Sequence, residues 1–86
     1  MPEKILVADD DPDIVRFVEI NLRLEGFEVL TAGDGEVAVE TATEERPDLV
    51  LLDIMMPKMD GLEVTQRLRN DPRTANTCII MLTAKT

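Results

Sequence analysis

The sequence predicts an α/β domain with a parallel sheet, because short apolar segments alternate with segments of helical periodicity along the chain. Two apolar segments, residues 4–8 and 48–53, run into aspartates at Asp9, Asp10 and Asp53. A carboxylate at the carboxyl end of a buried parallel strand lies at the edge of the sheet where open α/β proteins bind ligands. We therefore expect the functional site at that edge.

The first helix is predicted from its start and stop signals. Asp11 can cap the helix, Pro12 suits its first position, and Gly26 ends it. Between these signals, the apolar face consists of Ile14, Val15, Val18 and Leu22.

The remaining elements follow the same logic, with breaks at turn residues and prolines. They are predicted as a strand over 27–32, a helix over 36–45, a strand over 48–53, a helix over 62–69 and a strand over 77–82. We expect Val37, Ala38 and Ala42 on the apolar side of the second helix. Strands that alternate with helices of this length imply right-handed crossovers and a single domain over residues 1–86.

Composition excludes several classes of function. A net charge of −9 without a basic patch argues against binding nucleic acid. No apolar run approaches the length of a membrane span, and no signal peptide opens the chain, so we expect a cytoplasmic location away from membranes. The absence of histidine, with Cys78 as the single cysteine, argues against zinc sites and nucleophile–histidine pairs. We expect Cys78 to be a buried small hydrophobe.

The three strand-end aspartates are the candidate site. If the two strands are neighbours, Asp9, Asp10 and Asp53 converge, and their mutual repulsion calls for a cation such as Mg²⁺. A carboxylate at position 53 is also able to attack phosphorus and form an aspartyl phosphate. The alternative for each aspartate, taken alone, is a cap or a solvated turn.

Two further residues lie near this edge in the predicted topology. A hydroxyl at Thr83, after the fourth strand, suits a hydrogen bond to a phosphoryl oxygen, although a β-branched residue that ends a strand is an equal alternative. The backbone carbonyl of Met55 is a possible metal ligand. The side chains of Met55, Met56 and Met59 are expected to pack in the loop.

Three segments, at 4–10, 49–61 and 79–84, together resemble the receiver domain of two-component response regulators. The middle segment has the pattern Asp-x-Met-Met-Pro-x-Met-Asp-Gly, and the resemblance extends over the whole chain. It implies a flavodoxin-like, three-layer fold with strand order 2-1-3-4.

The resemblance also implies roles for individual residues. Asp53 would be the phosphoacceptor, and Asp9, Asp10, Asp53 and the Met55 carbonyl would hold Mg²⁺. Thr83 would be the hydroxyl that moves toward the phosphoryl group. The partner would be a histidine kinase or phosphotransfer protein, and the chain would be a signalling module rather than a metabolic enzyme.

The family also has a final helix–strand–helix segment that these residues lack, so we expect a receiver domain cut after its fourth strand. That strand would then be an apolar edge beside an uncovered sheet face, which predicts self-association. One alternative is a fragment that self-associates without productive switching. Another is an enzyme that resembles the phosphatases that use an aspartyl phosphate.

Overall fold

The computed structural model describes residues 3–82, which form a parallel four-stranded sheet in the order β2-β1-β3-β4. Its elements are β1 (Lys4–Ala8), α1 (Pro12–Leu24), β2 (Glu28–Ala32), α2 (Gly35–Glu45), β3 (Leu49–Asp53), α3 (Gly61–Arg69) and β4 (Cys78–Leu82). The predicted fold class, strand order and element order are confirmed.

The helices begin where aspartates cap them. Asp11 caps α1 as predicted, and its side chain accepts a hydrogen bond from the amide of Asp13 at 2.9 Å. Asp34 and Asp60 cap α2 and α3 in the same way, so both helices begin one residue earlier than predicted, at Gly35 and Gly61. A capping carboxylate satisfies a backbone N–H group that has no partner within the helix.

The larger core lies between the sheet and the helices α2 and α3. Ala38 and Ala42 contribute from α2, Val64 and Leu68 contribute from α3, and all four are fully buried. Their helical spacing of four residues explains why one side of each helix packs inward. The prediction that Val37 lies on this side is wrong. Val37 is 39% exposed, and Val39 packs against the core instead.

On the opposite face of the sheet, α1 is the helix that covers the strands within residues 3–82. Val18 and Leu22 of α1 pack against a cluster formed by Ile5, Val7 and Val29. No residue of α1 is buried. No helix in the described range 3–82 is long and apolar enough to cross a membrane.

Two burial predictions fail on this face because α1 packs over β1 and β2. The prediction that β3 is buried on both faces is wrong, since Leu49 and Leu51 are only half-buried. Cys78 is exposed rather than buried, because β4 is an edge strand in the described sheet.

Candidate metal centre

The predicted convergence of the strand-end aspartates is present in the structure. β1 and β3 are adjacent and parallel, with Ala8 paired to Leu52, so Asp9 and Asp53 follow side by side. One carboxylate oxygen from each of Asp9, Asp10 and Asp53 lies within 4.8 Å of the others. The carboxyl ends of two neighbouring strands thus build one acidic site.

Asp9 is fixed at this edge by backbone contacts on both sides. Its amide donates to the carbonyl oxygen of Ala32 at 3.1 Å, which ties the end of β1 to the end of β2. Its Oδ1 accepts a hydrogen bond from the amide of Asp11 at 2.9 Å. Asp9 is only 6% exposed, whereas Asp10 is exposed, so the site has a buried side and an open side.

Asp53 ends β3 and is half-buried. Its Oδ1 accepts a hydrogen bond from the amide of Met55 at 3.2 Å, which orients the carboxylate and leaves Oδ2 free of that contact. Met55 belongs to the β3–α3 loop, residues 54–60, and is 65% exposed. Thr83 lies outside the described residues, so its role stays a prediction.

The charges of the three aspartates are not compensated by ion pairs within residues 3–82, where every ion pair involves other groups. A buried carboxylate without a cationic partner is costly. An all-oxygen donor set of this kind suits a hard cation such as Mg²⁺ rather than zinc or a soft metal. The residues present therefore fit a magnesium ion.

One feature beside the site was not predicted from the sequence, in which Gly33-Asp34-Gly35 indicates only a turn before the second helix. The Nζ of Lys58, in the β3–α3 loop, lies 3.8 Å from Oδ2 of Asp34. Gly35 is buried in the same contact region, against Met59. The Asp-Gly pair before a helix was the available signal, but the pattern does not show which loop it meets.

A parallel sheet in this order with an acid cluster at its carboxyl edge is the arrangement of a signalling receiver. The model of the response regulator receiver domain family matches residues 5–86. The chain belongs to this family.

Individual relatives and solved structures support the membership of this chain in the family. The chain is 48% identical over 85 residues to the alkaline phosphatase synthesis transcriptional regulatory protein PhoP of Bacillus subtilis strain 168, which covers 99% of this chain and 35% of the relative. It is 49% identical to the DNA-binding response regulator MtrA of Mycolicibacterium smegmatis, over 100% of this chain and 36% of that protein. The chain thus spans about a third of the length of these relatives.

Among solved structures, the N-terminal domain of a response regulator receiver protein from Methanoculleus marisnigri JR1 is 46% identical and superimposes with a TM-score of 0.92, covering 96% of this chain and 68% of that one. The receiver domain of a sensor histidine kinase from Pseudomonas aeruginosa PAO1 is 33% identical, with a TM-score of 0.93, over 99% of this chain and 70% of that one. That crystal structure has a magnesium ion coordinated in its active site cleft.

Proposed function

We propose that this chain accepts a phosphoryl group on Asp53 in a two-component relay, with Mg²⁺ held by Asp9, Asp10, Asp53 and the Met55 carbonyl. The observation that carries the proposal is the convergence of three carboxylate oxygens within 4.8 Å at the ends of neighbouring strands. Family membership and the magnesium ion in one structural relative support it. We retain the Thr83 hydroxyl as a proposed hydrogen-bond donor to the phosphoryl group.

The proposed reaction transfers a phosphoryl group from a histidine nitrogen of the donor protein to a carboxylate oxygen of Asp53. A carboxylate oxygen of Asp53 attacks the phosphorus of a phosphohistidine on the donor protein, a P–O bond forms, and the P–N bond breaks with its electron pair leaving on the imidazole. The hydrogen bond from the Met55 amide occupies Oδ1, so Oδ2 is the oxygen that we expect to attack. When bound, Mg²⁺ supplies charge neutralisation for the carboxylates and the phosphoryl oxygens.

The donor is proposed to be a histidine kinase or a phosphotransfer protein. Support comes from α1, whose N-terminus follows the acid cluster and whose outer side exposes large apolar groups, with Phe17 70% exposed and Leu24 78% exposed. Such a surface suits a protein partner more than a small substrate. The names of the relatives describe transcriptional regulators, and on that basis we propose a cytoplasmic location and a signalling output rather than metabolic turnover.

Intact mass spectrometry after incubation with acetyl phosphate and Mg²⁺ tests the proposal. We expect one added phosphoryl group, lost on treatment with hydroxylamine because an acyl phosphate is cleaved by that nucleophile. The group should be absent from Asp53→Asn and when EDTA replaces Mg²⁺.

Asp13→Asn is the matched control, since it removes an exposed aspartate four positions from Asp9 without touching the cluster. It should be phosphorylated like the wild type. Equal phosphorylation of Asp53→Asn, or none in a folded wild-type chain with Mg²⁺, would refute the proposed acceptor.

We also propose that the 86-residue chain self-associates through β4 and the sheet face beside it. The register pairs Leu51 with Ile80, and paired residues in a parallel sheet share a face. Ile80 is 47% exposed, next to the half-buried Leu49 and Leu51. Pairing of the β4 edge or packing of this apolar face against a second copy would cover it.

Sedimentation velocity from micromolar to millimolar concentration tests this second proposal. The wild type should shift from monomer to dimer, and Ile80→Lys should weaken dimerisation by about tenfold or more, because a charge on the apolar face must be desolvated. Val37→Lys is the control, since Val37 is 39% exposed on α2, away from the face. A monomer at every concentration would contradict the proposal.

A further inference from the structure

The β3–α3 loop, which directly follows Asp53, is packed rather than free. Met56 and Met59 are 8% and 7% exposed and join the core cluster that contains Ala38 and Ala42 of α2. The loop therefore rests against the helix on one side while it carries Met55 at the acid cluster on the other.

The closest approach between this loop and α2 is at Gly35. A Cβ atom built on Gly35 would collide with the carbonyl oxygen of Met59, and it would lie 2.6 Å from the Cβ and 2.9 Å from the carbonyl carbon of Met59. Two of these three atoms are backbone, so a rotamer change of Met59 cannot relieve the contact. Any side chain at position 35 must displace the loop or the start of α2.

The neighbouring Asp34 links the same two segments. Its Oδ1 accepts a hydrogen bond from the amide of Val37 at 2.9 Å and caps α2, while its Oδ2 lies 3.8 Å from Nζ of Lys58. Lys58 has a φ of 71°, a left-handed conformation that is uncommon for residues other than glycine. The amide of Met59 donates to the carbonyl of Pro57 at 2.7 Å across this residue. The loop thus holds a tight turn against α2.

We propose that Gly35 is a positioning residue for the site at Asp53, an inference that rests on the proposed function. By permitting the contact with Met59, it sets the position of the β3–α3 loop and hence of Met55, whose amide orients the Asp53 carboxylate. Gly35 itself touches neither the metal nor the phosphoryl group. Its absence would leave the acid cluster in place but displace the loop that completes it.

Gly35→Ala tests the inference, with Gly33→Ala as the matched control in the same turn, since a Cβ at Gly33 would meet nothing within 4 Å. Isothermal titration calorimetry with Mg²⁺ should give an affinity about tenfold lower for Gly35→Ala and an unchanged affinity for Gly33→Ala, as for other groups that orient metal ligands. Both are measured at a temperature where circular dichroism shows each variant folded. A lower melting temperature of Gly35→Ala with unchanged Mg²⁺ affinity would mean a structural role only and would overturn the inference.

Lys58→Gly keeps the test decisive if Gly35→Ala does not fold. Glycine adopts the positive φ without strain, and the substitution removes the link to Asp34. Loss of a positive charge would by itself tighten the binding of a cation rather than weaken it, so a weaker Mg²⁺ affinity, by about threefold, reports the released loop. Unchanged or tighter binding would overturn the inference.

Measurements on the wild-type chain distinguish a failure of the positioning role of Gly35 from a failure of the proposed function. If it binds Mg²⁺ and gains a phosphoryl group on Asp53, but Gly35→Ala behaves like Gly33→Ala, the positioning role fails alone. If the folded wild-type chain neither binds Mg²⁺ nor is phosphorylated, the proposed function fails and the inference fails with it.

Discussion

Gly61 lies directly against the backbone of Asp53: a Cβ at position 61 would be 2.9 Å from the Asp53 carbonyl oxygen. It would also be 2.9 Å from the Cα of Ile54, whose carbonyl accepts a hydrogen bond from the Gly61 amide at 2.9 Å. Since Gly61 is the first residue of α3, the start of this helix is seated on the end of β3. The candidate acceptor and the helix therefore share one rigid backbone junction.

Gly61→Ala should lower the free energy of unfolding by about 1–3 kcal/mol, because both crowded atoms belong to the backbone and must shift. Urea denaturation followed by circular dichroism measures the change. Gly33→Ala is the control and should stay within about 0.5 kcal/mol of the wild type, as expected for an uncrowded surface position. Equal stability of the two variants would contradict the close approach.

Asp10→Asn should separate stability from metal binding. The substitution relieves repulsion within the acid cluster, so without Mg²⁺ it should raise the free energy of unfolding by about 0.5 kcal/mol, a modest effect because Asp10 is exposed. With a carboxylate ligand lost, Mg²⁺ affinity should fall by about tenfold or more. Urea denaturation in EDTA and titration calorimetry with Mg²⁺ are the two measurements. A variant that binds Mg²⁺ like the wild type would exclude Asp10 as a ligand.

Thr74, which lies away from the acidic site, should stabilise the fold through a buried hydrogen bond. It is 1% exposed, and its hydroxyl donates to the carbonyl of Leu68 at 2.7 Å, which joins the end of α3 to the segment before β4. Thr74→Val should cost about 1–3 kcal/mol, since the buried carbonyl loses its hydroxyl donor. Thr74→Ser retains the hydroxyl and should restore the hydrogen bond. If valine is no more destabilising than serine in urea denaturation, the hydrogen bond does not stabilise the fold.

The ion pair of Asp71 with Arg73 should make the stability of the fold depend on pH over a narrow range. Hydrogen bonds from Arg73, at 3.0 Å from its Nε and 2.7 Å from its Nη2, lower the pKa of the Asp71 carboxyl from 3.8 to about 2. A carboxyl with a lowered pKa stabilises the fold above its unfolded pKa, and this contribution is lost as the pH falls through the folded pKa. The loss should therefore occur between pH 3.8 and about 2. An NMR titration of the carboxyl carbon checks the pKa, and Arg73→Gln should return it toward its ordinary value.

The order of the elements and the meeting of the aspartates were predictable from the sequence. Apolar strands that end in Asp9 and Asp53 and helix starts such as Asp11-Pro12 predict the elements. The resemblance to receiver domains supplies the strand order that makes the first and third strands neighbours. Residues adjacent at the ends of neighbouring parallel strands must converge. The position of the site needs no knowledge of side-chain packing.

The contacts between loops were not predictable in this way. The Asp-Gly pair at positions 34 and 35 indicates a turn in any context, and only the folded chain shows that Met59 fills the space beside it. The exposure of Cys78 likewise depends on how far α1 extends over the sheet, which local patterns do not specify. Predictions based on a period along the chain fail where burial depends on distant elements.

The sheet order has a consequence for synthesis on the ribosome. β1 emerges first, yet in the finished sheet it lies between β2 and β3. The nascent chain can pair β1 with β2 early. The acidic site cannot form until Asp53, 44 positions after Asp9, has been synthesised and β3 has paired with β1. The acidic site therefore forms only after residue 53 has left the ribosome, and a ribosome-bound chain stalled before that residue would lack the three-carboxylate cluster.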